Sequence, residues 1–316
     1  MWLAVLVVLV LILLYRWYRQ SQILENLTDK YVFITGCDTG FGNLLAKQLD
    51  RRGMRVLAAC LSDKGAENLK KETSSRLQTV ILDVTDSKSV SSAAKWVSSA
   101  VGNTGLWGLV NNAGFGLAFG PNEWQTIEDF SKVLNVNLLG VINVTLHLLH
   151  LVRKARGRIV NVSSAGGRLS VLGGGYCISK FGVEAFSDSL RREMRDFGVK
   201  VSIIEPSGFR TMILSSEVQV NYLRRLWENL PTAVKESYGD HYYEQCTKVC
   251  ENLFKNADPR IHMVPDCMEH AVTAVYPWTR YSPGLDCKLF YLPLSYLPTV
   301  ISDYVLCRLA PKPACN

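Results

Sequence analysis

The chain contains no CxxC pair and no histidine at metal-ligand spacing, and its nine cysteines (37, 60, 177, 246, 250, 267, 287, 307 and 315) are odd in number and scattered. This excludes a disulfide framework and a zinc module, and reads as reduced thiols with no metal site. Cys246 and Cys250, four apart, can share a helix face, but no third ligand accompanies them. Acidic residues are in deficit, 28 against 35 Lys plus Arg. The surplus suits an anionic membrane surface, a nucleotide or a nucleic acid, and charge alone does not choose among them. The apolar run from Trp2 to Tyr15 has no charge, no basic stretch before it and no small-x-small cleavage site after it. These absences favour an uncleaved anchor over a signal peptide. The run is shorter than the roughly 20 residues of a comfortable bilayer span. Arg16 and Arg19 follow it at once, and the positive-inside rule then puts the rest of the chain in the cytosol.

What the sequence does have is alternation. Tyr31 to Thr35, Arg55 to Cys60, Leu77 to Leu82, Leu109 to Asn111, Arg158 to Val162 and Lys200 to Ile204 are short, β-branched and apolar on both faces. Runs of this kind predict buried strands. The amphipathic stretches 43–52, 87–101, 129–153 and 179–197 lie between them. Strand-helix alternation predicts an α/β fold, a Rossmann-like doubly wound parallel sheet, with ligands at the carboxyl ends of the strands. We expect a single catalytic domain over 30–316, preceded by an anchor (1–18) and a linker (19–29). Beyond Pro206 the alternation stops. Segment 213–268, rich in Trp, Tyr and charge, is expected to be a substrate lid. Segment 289–309 is an apolar tail broken by Pro293 and Pro298. It is expected to be a last strand packed on the core, with a second membrane contact as the alternative.

The first strand runs into Thr35-Gly36-Cys37-Asp38-Thr39-Gly40-Phe41-Gly42, a TGxxxGxG loop opening a helix. Glycines there let the backbone approach a pyrophosphate seated on the helix N-terminus. Asn111-Asn112-Ala113-Gly114 ends the fourth strand, and Ser164, Tyr176 and Lys180 follow in NVSSAGGRLSVLGGGYCISK. Tyr176 and Lys180 are one helical turn apart and share a face. An ammonium beside a phenol favours the phenolate, which can then take a proton from an alcohol near neutral pH.

TGxxxGxG, NNAG, a strand-end Ser and YxxxK in this order resemble the short-chain dehydrogenases/reductases over residues 30–211. DKYVFITGCDTGFGNLLAKQLDRRGMRVLAAC, GLWGLVNNAG, GGGYCISKFGVEAFSDSLRRE and PGLDCKLFYLP look like their microsomal branch of retinol dehydrogenases and 3α- or 17β-hydroxysteroid dehydrogenases. The resemblance implies Tyr176 as general acid/base and Lys180 as the lysine that lowers its pKa and holds the nicotinamide ribose. It implies Ser164 as the group that polarises the substrate oxygen, and Asn137 as the link from the lysine to a proton-relay water. Ser164 is chosen over Ser163 because neighbouring strand side chains point opposite ways and Ser164 has the branch's spacing to Tyr176. Gly36, Gly40, Phe41, Gly42, Asp83, Asn111, Gly114 and Thr211 are implied along the cofactor, with Asp83 on adenine and Thr211 on the carboxamide. The implied partners are NAD, a lipophilic alcohol and the endoplasmic reticulum membrane, without nucleic acid; a homodimer is a further expectation.

Two places depart from the pattern. The usual Pro-Gly after the sixth strand is Glu205-Pro206-Ser207-Gly208 here, so Ser207 either distorts the turn or leaves Gly208 to absorb the bend. No acid stands near Cys60, where one would bind the ribose hydroxyls for NAD. Asp63 is the nearest substitute, whereas Lys64 suits a phosphate and an NADPH-dependent carbonyl reductase. A non-catalytic lipid- or dinucleotide-binding protein of the same fold is the other alternative. His147 and His150 lie in an apolar helical stretch and read as packed or capping residues. Trp227, Tyr238, Tyr242 and Tyr243 read as lid core or as the lining of a greasy pocket.

Overall fold

The computed structural model describes residues 2–116, 120–171, 173–212 and 215–313. Seven parallel strands form one sheet in the order β3-β2-β1-β4-β5-β6-β7. They are β1 (Tyr31–Thr35), β2 (Arg55–Cys60), β3 (Leu77–Ile81), β4 (Gly108–Asn111), β5 (Arg158–Val162), β6 (Lys200–Ile204) and β7 (Arg280–Tyr281). Strands β4 and β5 are buried at every position, and β1, β2 and β6 at all but the first. Helices cover both faces, and each face has its own apolar cluster. One holds Ile34, Leu45, Val56 and Met268, the other Phe33, Leu57, Leu109 and Leu148. Strand order reverses between β1 and β4, which opens a crevice at their carboxyl ends.

Helix α1 (Trp2–Ser21) precedes the sheet; α2 (Gly40–Arg51), α3 (Asp63–Lys71) and α4 (Ser87–Val101) are the first three crossovers. The next crossover is one long helical run: α5 (Ile127–Leu134), a π-helical turn (Asn135–Gly140) and α6 (Val141–Ala155). The run is apolar enough in length and composition to cross a bilayer, but Val144, Leu148 and Leu151 pack it on the sheet. Helix α7 (Gly175–Glu193) links β5 to β6.

The segment expected to be a lid is helical, although residues 213 and 214 at its start lie outside the described residues. Helices α8 (Ser216–Glu228), α9 (Thr232–Tyr238) and α10 (Asp240–Asn256) enclose a small core of their own, and α11 (Met263–Thr273) returns to the sheet. The tail corrects the sequence reading: the last strand is β7, and 287–309 is helical. A π-helical turn (Cys287–Tyr291) leads into α12 (Leu292–Ser295) and α13 (Thr299–Leu309). Pro293 sits in the first turn of α12 and Pro298 caps α13, positions where proline lacks no needed donor. Leu289, Val300 and Tyr304 remain exposed on these helices.

Candidate active site

The crevice is built by tying two loops together. Thr35 Oγ1 accepts the backbone N–H groups of Asn112 and Ala113, both at 3.0 Å. The Asn112 amide donates to the carbonyls of Thr35 (2.9 Å) and Gly36 (3.0 Å). A Cβ on Gly36 would stand 2.8 Å from the Ala113 Cα, so only glycine permits this approach. Gly40, at φ +64°, opens α2 and has nothing within 4 Å of where its Cβ would be. The loop therefore presents bare backbone at a helix N-terminus, a surface that fits a pyrophosphate. Phe41 packs edge-on against Phe209 at 6.0 Å and joins this loop to the segment after β6.

Sequence reasoning missed Asp38. Its carboxylate accepts the backbone N–H groups of Leu61 (2.8 Å) and Ser62 (3.0 Å) and the Ser62 hydroxyl (2.8 Å). An acid from the glycine-rich loop thus stands at the end of β2, the place where Cys60 supplies none. Its signal was a charged residue inside a glycine loop, which only the 23-residue separation hid. Asp83 is exposed and holds its own turn through Thr85, at 2.9 and 2.7 Å. Asn111 turns its side chain away from the crevice. Its amide donates to Thr145 (2.9 Å) and Asn161 (2.8 Å) inside the core, leaving only its backbone at the crevice.

Beyond β5 the two serines diverge. Ser163 points inward and donates to the Lys180 carbonyl at 3.3 Å. Ser164 caps the short turn Ala165–Gly167, accepts the Gly166 N–H at 3.1 Å, donates to the Pro206 carbonyl at 3.4 Å and lies close enough to the Tyr176 phenol to lower its pKa. The Lys180 ammonium lies 5.7 Å from the centre of the Tyr176 ring and donates to the Val162 carbonyl at 2.9 Å. Asn137 sits in the π turn. Its Oδ1 accepts the Phe115 N–H (2.9 Å), and its amide donates to the Phe115 carbonyl (2.9 Å) and Ser179 (3.2 Å). Gly114 lies against both, since a Cβ there would meet Asn137 Oδ1 at 3.2 Å and Lys180 Nζ at 3.7 Å. Tyr176, Lys180, Ser164, Asn137 and Gly114 thus converge.

Electrostatics differ from the simple expectation. Burial pushes the Tyr176 phenol above its ordinary value, opposed by Ser164 beside it. Burial also pulls the Lys180 ammonium down to about 8, opposed by the Glu184 carboxylate one turn along α7.

Ser207 is accommodated by a glycine other than Gly208. Gly284, at φ +105°, lies directly against the Ser207 hydroxyl, and any side chain there would overlap it. Thr211 N–H donates to the Phe209 carbonyl at 2.8 Å in the same loop. Under this loop lies a charge network that sequence reasoning also missed. Arg280 on β7 binds Glu184 and Asp188 of α7 and Glu205 after β6, and Arg168 adds a second bond to Glu205 at 3.0 Å.

The other candidates are structural. His147 Nδ1 pairs with the Asn143 carbonyl of its own helix at 2.9 Å. Cys246 and Cys250 are buried in the lid core, where burial raises their thiols to about 11 and 12. Trp227, Tyr238 and Tyr242 pack round Trp124 at 5.0–5.7 Å, and Tyr243 stacks on Trp227.

A parallel doubly wound sheet with a glycine-rich first turn and a Ser-Tyr-Lys constellation defines a dinucleotide-dependent oxidoreductase. Residues 30–221 match the model of the short chain dehydrogenase family, and the chain belongs to that family. It is 58% identical to retinol dehydrogenase 7 of Rattus norvegicus over 99% of both chains. It is also 58% identical to short-chain dehydrogenase/reductase family 9C member 7 of Bos taurus, over 95% of this chain and 96% of that one. Identity to 17-beta-hydroxysteroid dehydrogenase type 6 of Rattus norvegicus is 55% over 99% of both chains. Among solved structures, a short-chain dehydrogenase from Streptomyces avermitilis has the same fold, with TM-score 0.69 and 24% identity over 90% of this chain and 96% of that one.

Proposed function

We propose that the protein is an NAD-dependent dehydrogenase that oxidises a lipophilic alcohol, a retinol or a hydroxysteroid, at the membrane of the endoplasmic reticulum. The observation that carries this reading is the convergence of Tyr176, with Ser164 beside its phenol and the Lys180 ammonium 5.7 Å from the centre of its ring, next to the open glycine loop. A bound nicotinamide dinucleotide supplies the hydride acceptor. Gly36, Gly40, Phe41 and Gly42 form the cradle that fits its phosphates, Asp83 the adenine end, Gly114 and the Asn111 backbone the middle, and Lys180 and Thr211 the nicotinamide end. Ser164 holds the substrate oxygen, and Tyr176 as phenolate takes the hydroxyl proton. Lys180 supports the phenolate, and Asn137 fixes the loop at Phe115 over which the lysine lies.

The choice of NAD is supported by Asp38, whose negative charge at the end of β2 opposes a ribose phosphate there. The substrate class follows the names of the relatives. Membrane attachment is supported by α1: its uncharged run from Trp2 to Tyr15 extends about 21 Å at 1.5 Å per residue, and Val5 to Tyr15 are exposed along it. The two arginines after it favour a cytosolic catalytic domain. A homodimer is supported by Leu139 and Leu146 near α6 and Ile178 and Phe181 on α7, all exposed.

The test is Tyr176→Phe. Turnover should fall by about 10²–10⁴-fold or more while NAD affinity changes little. Unchanged turnover would remove Tyr176 from the chemistry.

A further inference from the structure

The amino ends of the strands, opposite the crevice, carry a row of cations that no carboxylate pairs among the described residues, although the Asp29 charge lies near Lys30. Arg158 and Lys200 are register partners on β5 and β6, so their side chains leave the same face of the sheet. Like charges placed opposite each other in this way are unfavourable. The row continues through backbone bonds, from Arg158 N–H to the Trp107 carbonyl (2.7 Å) and from Trp107 N–H to the Tyr31 carbonyl (3.0 Å), beside Lys30. Lys30 Nζ lies 3.8 Å from the centre of the Trp107 ring, and the Arg158 guanidinium 4.6 Å from it. At the other end Arg19 lies 3.8 Å from the Tyr276 ring, and Lys200 lies 5.6 Å from the same ring.

Among the described residues none of Arg19, Lys30, Arg158 and Lys200 forms an ion pair. Among the described residues Arg158 is only 4% exposed, its Nη1 donates to the Gly157 carbonyl at 3.3 Å, and its Nε has no hydrogen-bond partner. A buried guanidinium without an anion is costly. The crowding shows in the neighbours. Burial and Arg158 pull the Lys30 ammonium down against Asp29, and burial, Arg158 and Arg19 pull Lys200 to about 8.

We propose that this rim is an anion site whose occupant is the phosphate of an anionic phospholipid headgroup. The lipid is favoured because the polar end of α1 docks on the same rim. Val275 N–H donates to the Gln22 carbonyl and Leu24 N–H to the Thr273 carbonyl, both at 2.9 Å, and Arg16 lies 5.7 Å from the Trp278 ring. Arginine, tryptophan and tyrosine at one level are the side chains of a bilayer interface. The inference rests on the anchoring proposed above.

The experiment follows thermal melting of the full-length chain in non-ionic detergent with short-chain phosphatidylglycerol, short-chain phosphatidylcholine or inorganic phosphate at equal ionic strength. Phosphatidylglycerol should raise the melting temperature by about 5 °C, and phosphatidylcholine should not. Lys200→Met and Lys30→Met should each lose most of that rise. Lys30→Met decides the matter alone if the other variant misfolds, because no hydrogen bond of the Lys30 ammonium is lost. An undiminished rise in the variants overturns the site, and an equal rise with phosphate alone overturns the lipid as occupant. Alkaline carbonate extraction of the membranes separates the two readings. Release of the protein overturns the anchor and with it the lipid; retention leaves the variants to decide the rim.

Discussion

At the scale of single residues, the proton chemistry turns on the balance between burial and Ser164 at Tyr176. Because the phenol is held above its ordinary value, the phenolate fraction at neutral pH is small and grows with each unit of pH. Alcohol oxidation should therefore rise with pH from neutrality, and carbonyl reduction should fall. Above about 8 the Lys180 ammonium loses its charge, and with it its support for the phenolate, so the oxidation limb should flatten. Initial rates across this range check the sign; oxidation that falls as pH rises contradicts it. Asp38 sets a second residue-scale expectation. If the proposed use of NAD holds, Asp38→Asn, which removes the charge at the end of β2, should narrow the preference for NAD over NADP by about tenfold or more. Dinucleotide titration without substrate reads it. The third expectation concerns Gly284. Gly284→Ala both strains a positive φ and overlaps Ser207, and should cost about 2–4 kcal/mol in chemical unfolding. Ser207→Gly in the same chain should restore part of that loss, because the two positions couple directly.

Among the elements, α7 has most to hold, since it carries Tyr176 and Lys180 and is clamped from beneath by Arg280 through Glu184 and Asp188. Arg280 also neutralises Glu205, whose side chain is 1% exposed. Arg280→Met strands Glu184, while Glu205 keeps Arg168 and Asp188 keeps Arg191, and should cost about 3 kcal/mol, measured as a lowered denaturant midpoint. The elements also show what was legible beforehand. Strands β1, β2 and β4 to β6 were readable because a parallel sheet buried on both faces demands apolar, β-branched runs, and the edge strand β3 was readable although only Leu77 in it is buried. Tyr176 and Lys180 were readable because a four-residue spacing fixes a shared helix face whatever surrounds it. Asp38, Gly284 and Arg280 were not, because their meaning lies in Ser62, Ser207 and Glu205, partners brought near only by the fold. The tail misled because an apolar run broken by prolines fits a strand as well as two short helices that start at those prolines.

On the scale of the molecule, the sheet separates two jobs. Its carboxyl ends hold the Ser164, Tyr176 and Lys180 constellation, and its amino ends hold the cationic rim where α1 docks. Helices α8 to α10 pack an aromatic core round Trp124 of the β4–α5 connection, and Arg225 bonds Asp129 of α5, so these helices are joined to the sheet domain through that connection. The proposed NAD-dependent oxidation of a lipophilic alcohol through Tyr176 is tested most directly by initial rates on membranes carrying the full chain, with retinol and with a hydroxysteroid, each with NAD and with NADP. Turnover of at least one alcohol with NAD in preference to NADP, abolished by Tyr176→Phe, is the expected result. Measurable dinucleotide binding with no turnover of either alcohol would contradict it.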